Sequence, residues 1–449
     1  MMSNTADKAQ YFLVSGRWDN TVIVIDLKKA LDPANDATDN AVINRLRVTS
    51  DIKTAGGWTV PASGQPIYVT IHQELKRAYV TNHSGNADAC DTGSAELGWD
   101  RTPLSSISQH GYRGTIAVVN LEKALDPANW NTLGAVEEIF DSGGYGPTGT
   151  AISPDGKYLA LAHAESERSE DGGYHISIID LATNKIIHRV QQALANTAAA
   201  PDLPRFAPHP DFGYYPCPNG LCFSPVGNDK VADTLFTANG GTLDVSVISW
   251  ARAMAKDPGA ELGRIPTQSG GFGISASPCG NYIAATSRED PRDNSEGNTI
   301  SIIDVKKALT DPANAEINRI LVGTNDPKEA TRPFAVGFTR DGSRIVVTCF
   351  RSNNISIIDT ADAISGRTTT AKHIILEMPN GAADGLDSRP RFMAFSADGA
   401  YVAISGAPPK GLPNSGVVWI LDTKDWTVKG RVTGVGNEAY SLAGFTGAF

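Results

Sequence analysis

The sequence predicts an all-β fold, a seven-bladed β-propeller closed by its own C-terminal strand, and three observations carry that expectation. The phrase "KALDPAN" occurs at 29–35 and 123–129, and again with an inserted Thr at 307–314. Each copy follows an apolar run of one kind: "TVIVIDL", "TIAVVNL" or "TISIIDV". A third observation is that seven such runs, each preceded by another short apolar segment, fill the chain at roughly 61 residues per unit once a long insertion at 84–113 is set aside. Repetition at that interval marks four-stranded modules around an axis rather than a string of separate domains, so 1–449 reads as one domain.

Taken in order, the second and third strands of each unit pair as "YFLVSG" with "TVIVIDL", "AYVTNH" with "TIAVVNL", and "KYLALAH" with "HISIIDL". They continue as "TLFTANG" with "LDVSVIS", "YIAATS" with "TISIIDV", "RIVVTC" with "NISIIDT", and "YVAISG" with "GVVWILD". Short Val- and Ile-rich runs bounded by turns such as "SPDG" are strands joined by hairpins. First strands precede six of these pairs: "GQPIYVTI", "GPTGTAIS", "CPNGLCFS", "GFGISAS", "RPFAVGFT" and "RPRFMAFS". Nothing equivalent precedes "YFLVSG". The missing strand is expected from the C-terminal "AYSLAGFTGAF", because a ring closed by strand pairing leaves no exposed edge at the seam. "KALDPAN" then lies just beyond the third strand of units one, two and five, where Asp-Pro ends a short helical or turn segment.

Composition narrows the function classes. A formal charge of −10 without any Lys/Arg run argues against a nucleic-acid partner, and no apolar stretch is long enough for a membrane span. The five cysteines show neither C-x-x-C nor C-x-x-C-H spacing, so no haem c is expected. Cys217 and Cys222 are read either as one local bridge or as two buried thiols. "MMSNTADKAQ" has no apolar signal core, so the chain as written reads as cytoplasmic, and as periplasmic or secreted if a leader has been removed.

The segments "YVTN" at 79–82, "SPDGKYLALA" at 153–162 and the recurring "ISIIDLATNK" pattern resemble the YVTN-type seven-bladed propellers, a group that includes lactonase-like proteins. The resemblance implies the fold. It does not select a function, because this architecture hosts scaffolds as well as several enzyme classes.

In a propeller, the loops joining second to third strands and those leading into first strands converge on one face of the central channel. Irregular sequence is concentrated there, and five of the eight histidines fall on it: His83, His110, His163, His175 and His209. His83 and His163 are expected at one place in adjacent units, immediately after the second strand. His83, His110, His163, Glu165 and His209 are candidate ligands of a divalent metal ion, with His83 and His163 alternatively acting as acid and base. Hydrogen bonding within loops is the competing explanation for them. Arg332 and Arg389 each stand before the proline that opens a first strand, and Arg17, Arg288 and Arg351 follow second strands. Together these five are candidates for recognising an anion, or else for stapling blades through Glu289, Asp290, Asp326 or Asp387.

Tyr145 joins them as a candidate substrate contact, with Trp18, Trp58, Trp99, Phe212, Tyr214, Tyr215 and Phe272 as further wall residues. "SGGYG" and "SGGFG" lead into strands rather than helices, so no nucleotide cofactor is expected. The combined expectation is a small-molecule hydrolase or lyase at the channel mouth, metal-dependent and acting on an anionic, aromatic or lactone-like metabolite. The alternative is a non-catalytic scaffold that binds a protein partner through the same face.

Overall fold

The structure is a computed structural model, describing residues 9–50, 52–53, 59–60, 65–83, 113–164, 175–193, 216–224, 234–290, 295–367, 369–379, 387–408 and 413–447. Seven four-stranded antiparallel sheets form the blades of a propeller. Blades 2 to 7 each run from inner to outer strand in chain order. Blade 6, for example, consists of Pro333–Phe338, Arg344–Cys349, Asn354–Asp359 and Lys372–Ile375.

Blade 1 is the exception. Its inner strand is the C-terminal Ala439–Thr446, paired antiparallel with Gln10–Gly16, followed outward by Thr21–Asp26 and Val42–Arg47. Closure by the chain's two ends is as the sequence predicts. A two-stranded ribbon, Ile52–Lys53 with Thr59–Val60, was not anticipated.

The third strands explain why their sequence is apolar at nearly every position. In Asn354–Asp359 every residue but the last is buried, because both faces of the blade pack against neighbouring blades. The serine in this run is the repeated exception, and it is tied down: Ser356 Oγ bonds His373 Nδ1 at 3.0 Å and accepts from Gly323 N at 2.7 Å.

"KALDPAN" is a joint between blades. Asp26, Asn120 and Asp304 cap one-turn helices at Leu27–Ala30, Leu121–Ala124 and Val305–Ala308. Asp32 and Asp126 then cap the 3₁₀ turns Pro33–Asn35 and Pro127–Asn129. The preceding blade's outer strand docks on the turn: Asn44 Nδ2 donates to the carbonyls of Ala124 (2.9 Å) and Asp126 (2.8 Å). A Cβ on Gly430 would meet Ala30 O at 2.0 Å, and one on Gly263 would meet Pro312 Cγ at 2.8 Å, so glycine in the outer strand permits the approach. In the third copy the inserted Thr310 breaks the cap, and Asp311 makes no side-chain capping bond.

Candidate functional site at the channel mouth

The lead-ins of four inner strands are built on one strained device. Gly146, Cys217, Arg332 and Arg389 all precede prolines and all have left-handed backbones, with φ of 53°, 49°, 51° and 45°. That conformation is unfavourable for a side-chain-bearing residue and more so before proline, costing on the order of 1–3 kcal/mol. A register shift follows each of those prolines, a bulge that re-aims the first residues of the inner strand.

Backbone bonds lock the device. The residue after the second strand donates its N–H to the lead-in carbonyl: His83 to Gln65 (2.8 Å), Ala164 to Gly146 (2.9 Å), Gly240 to Cys217 (2.9 Å), Phe350 to Arg332 (3.0 Å) and Arg17 to Glu438 (3.0 Å). Arg288 makes the matching bond to Gly270 at 2.8 Å.

This ladder corrects the register expected from sequence. His83 is equivalent to Arg17, Ala164, Arg288 and Phe350, whereas His163 and Arg351 are each displaced by one residue. His163 pairs with Pro147, the place held by Asn82, Asn239, Cys349 and Gly406 in other blades. A one-residue offset along a strand turns the side chain to the opposite face. His163 is accordingly fully buried, with Nε2 2.9 Å from Ser177 Oγ, much as Asn239 Nδ2 bonds Ser246 Oγ at 2.8 Å inside its own blade.

The two imidazoles therefore do not occupy equivalent places. Burial, and then the charge of Arg17, pull the His83 pKa down to about 3, so its imidazole is neutral at pH 7. His175, paired with His163 across the strands, is pulled down to about 4 by burial and by Arg189. Three of the expected metal ligands, His110, Glu165 and His209, lie outside the described residues, and no group of three potential ligands forms among those described. Tyr145 ends the outer strand Val136–Tyr145, so "SGGY" belongs to that strand and not to the next inner one, and its side chain is outside the description. Trp58, Trp99, Phe212, Tyr214 and Tyr215 also lie outside it. The Cys217–Cys222 bridge is not formed.

The arginines do converge, over an aromatic floor. Phe272, Phe334, Phe392 and Tyr440, from blades 5, 6, 7 and 1, form a connected set of rings with centroids 4.5 to 5.8 Å apart, and Tyr68 of blade 2 meets Phe392 edge-on at 5.2 Å. Guanidiniums cover these rings. Arg288 lies 4.9 Å from Phe272 and 5.5 Å from Phe334; Arg391 lies 4.8 Å from Phe350 and 5.0 Å from Tyr440. Arg332 and Arg389 flank Phe350 at 5.3 and 5.5 Å, and Arg17 approaches Tyr440 at 5.1 Å. Stacking of this kind fixes a guanidinium's plane while leaving its edge for hydrogen bonds.

Carboxylates pair with the arginines. Arg332 bridges Glu289 (2.5 Å) and Glu296 (2.9 Å), while Arg351 holds Glu296 and is half-exposed. Arg288 also contacts Glu289, and Arg389 stands 3.7 Å from Asp387. Arg391 pairs with Glu438, which also accepts from Trp18 Nε1 and lies 4.0 Å from Arg17. These pairs leave hydrogen-bonding capacity over. The Nε atoms of Arg288, Arg332, Arg389 and Arg391 are buried without a hydrogen-bond partner among the described residues.

Desolvation lowers the pKa of Arg288, opposed by Glu289 and reinforced by Arg332 and Arg391. Arg391 is lowered in the same way, opposed by Glu438 and reinforced by Arg17 and Arg389. The guanidiniums thus repel one another in a poorly hydrated place.

Arg391, Glu438, Phe334, Phe350, Phe392 and Tyr440 were not singled out from sequence. A signal was present: Phe334, Arg391 and Tyr440 each follow directly on the first residue of an inner strand, in "PF", "PR" and "AY".

No protein-family model matches this chain, and no curated protein matches it in sequence. Solved structures resemble it in fold. A protein from Lactobacillus plantarum aligns over 97% of this chain and 99% of its own at 13% identity, with a TM-score of 0.60. The periplasmic gluconolactonase of Pseudomonas aeruginosa aligns over 97% and 99% at 16% identity and a TM-score of 0.58. A protein of unknown function from Desulfotomaculum acetoxidans aligns over 97% and 98% at 14% identity and 0.56. At these identities the likeness establishes the β-propeller architecture, lactonase-like propellers included, and nothing finer.

Proposed function

We propose that the channel mouth binds a small carboxylate-bearing molecule and that the chain is an enzyme acting on it, of the hydrolase or lyase class. The observation that carries this reading is the set of four buried guanidinium Nε atoms without acceptors among the described residues, on residues from three blades and stacked on rings. A buried donor left unpaired costs about 1–3 kcal/mol, which a bound carboxylate would recover. Ester or lactone hydrolysis and elimination from a carboxylate both build negative charge on oxygen, and preorganised guanidiniums stabilise such charge as it develops. The gluconolactonase among the structural neighbours is consistent with lactone chemistry on this architecture.

Burial and the charge of Arg17 keep the His83 imidazole neutral at pH 7. The adjacent positive charge opposes a metal cation at that imidazole, so a divalent ion forms no part of the proposal.

Arg288→Met retains the aliphatic packing on Phe272 and Phe334 but removes the charge. It is expected to weaken carboxylate binding by about 1.5–3 kcal/mol with little change in melting temperature. Titration calorimetry with carboxylates, together with pH-stat assay of carboxylated lactones, measures this. Unchanged affinity with a large fall in melting temperature would make the arginine a blade staple, and would favour the protein-binding scaffold.

A further inference from the structure

Among the described residues, six guanidiniums meet at the mouth and four carboxylates pair with them: Glu289, Glu296 and Glu438 each serve two arginines, while Asp387 serves one from 3.7 Å. Two positive charges are in excess within this set. They are not on the solvent rim, because Arg391 is 9% exposed and the side chains of Arg288 and Arg389 are only 20% and 25% exposed. Arg288 shares Glu289 with Arg332, and Arg389 reaches a half-exposed Asp387 that already accepts from Asn353 at 2.8 Å. They belong to different blades and stack on different rings, Phe272 and Phe334 for one and Phe350 for the other. Two cations on different blades and different rings suit two carboxylates on a short spacer.

We infer that the ligand is a dicarboxylate, one carboxylate held by Arg288 and the other by Arg389, and that Glu438 sets this valence as an internal counter-charge occupying Arg391. The inference rests on the carboxylate site proposed above. Glu438 is suited to the role because it is buried, it precedes the inner strand of blade 1 as Arg389 precedes that of blade 7, and Trp18 and Arg391 fix it. With that internal carboxylate in place, a third carboxylate on the ligand would meet a neutralised arginine and a buried negative charge.

Calorimetry of the full chain at pH 7 and matched ionic strength, with acetate, succinate, propane-1,2,3-tricarboxylate and inorganic phosphate as probes, tests this. Succinate is expected to bind at least about tenfold tighter than acetate, and Arg389→Gln to bring succinate down to the acetate level. Glu438→Gln is expected to improve the tricarboxylate by about tenfold relative to succinate, giving a second readout should Arg389→Gln fold poorly. Acetate saturating as tightly as succinate overturns the dicarboxylate while leaving the carboxylate site standing. Phosphate matching succinate overturns it in favour of one compact dianion centre. An unaltered tricarboxylate preference in Glu438→Gln removes Glu438 from the assignment, and no binding by any probe overturns the underlying site as well.

Discussion

At the scale of single residues, function depends on which side of a strand end a side chain leaves. His83 and His163 both look like the residue after a second strand, yet only His83 shares the register of Arg17 and Arg288, and His163 bonds Ser177 within its blade. His83 carries a testable pH signature. Its folded pKa of about 3 lies below the unfolded value of 6.5, so between those values the unfolded chain binds the proton and the folded chain does not. The stabilisation is complete above pH 6.5 and is lost as pH falls toward 3, at up to about 1.4 kcal/mol per pH unit. Urea unfolding of the native chain and of His83→Asn at pH 7, 6 and 5 checks this: the variant's curve should fall less steeply. His175, held at about 4, contributes in the same direction in both proteins.

Elements of this fold are secured at their joints, and the repeated phrase supplies three versions of one joint. Asp126 caps its 3₁₀ turn by accepting from Ala128 N at 2.9 Å, while Asp311, displaced by Thr310, caps nothing and instead accepts from Asn314 Nδ2 at 3.1 Å. Asp126→Ala is therefore expected to cost about 1 kcal/mol and Asp311→Ala less than half of that, as read by chemical denaturation. Equal losses would mean that the aspartate acts through its charge and not through the cap. Hydroxyls make the corresponding joints near the axis. Thr348 and Ser405 donate to the carbonyls of Arg391 and Tyr440 in the next blade, so the backbone beneath the candidate site is held by the neighbouring blade's second strand.

For the whole molecule, ring closure and site assembly are one event. Ala439–Thr446 completes blade 1 against Gln10–Gly16, and the same segment carries Tyr440, two residues after Glu438, into the aromatic floor. Deleting residues 440–449 would expose the edge of Gln10–Gly16 and remove the Tyr440 ring from beside Phe334 and Phe392. The expected outcome is loss of a single cooperative melt by calorimetry, together with loss of carboxylate binding. A truncated chain that melts like the full one would show that the seam contributes little to stability.

Much of this was legible in the sequence because it is periodic. Alternating apolar residues, "SPDG"-type hairpins and three copies of "KALDPAN" each report a local backbone preference, and seven repetitions made blade number and C-terminal closure readable. The lead-in arginines Arg332 and Arg389 were legible for the same reason, since a proline opens the first strand directly after each of them. What only the tertiary structure decided is where the repeats differ. His163 and His83 are separated by a one-residue register step that no local propensity encodes, because it depends on which lead-in carbonyl the following N–H meets across the blade. Arg391, Glu438 and the rings of Phe334, Phe350, Phe392 and Tyr440 lie far apart in the chain and look like ordinary strand residues in blades 6, 7 and 1. They become a charged, aromatic-floored site only when the blades close around one axis and burial strengthens each uncompensated charge.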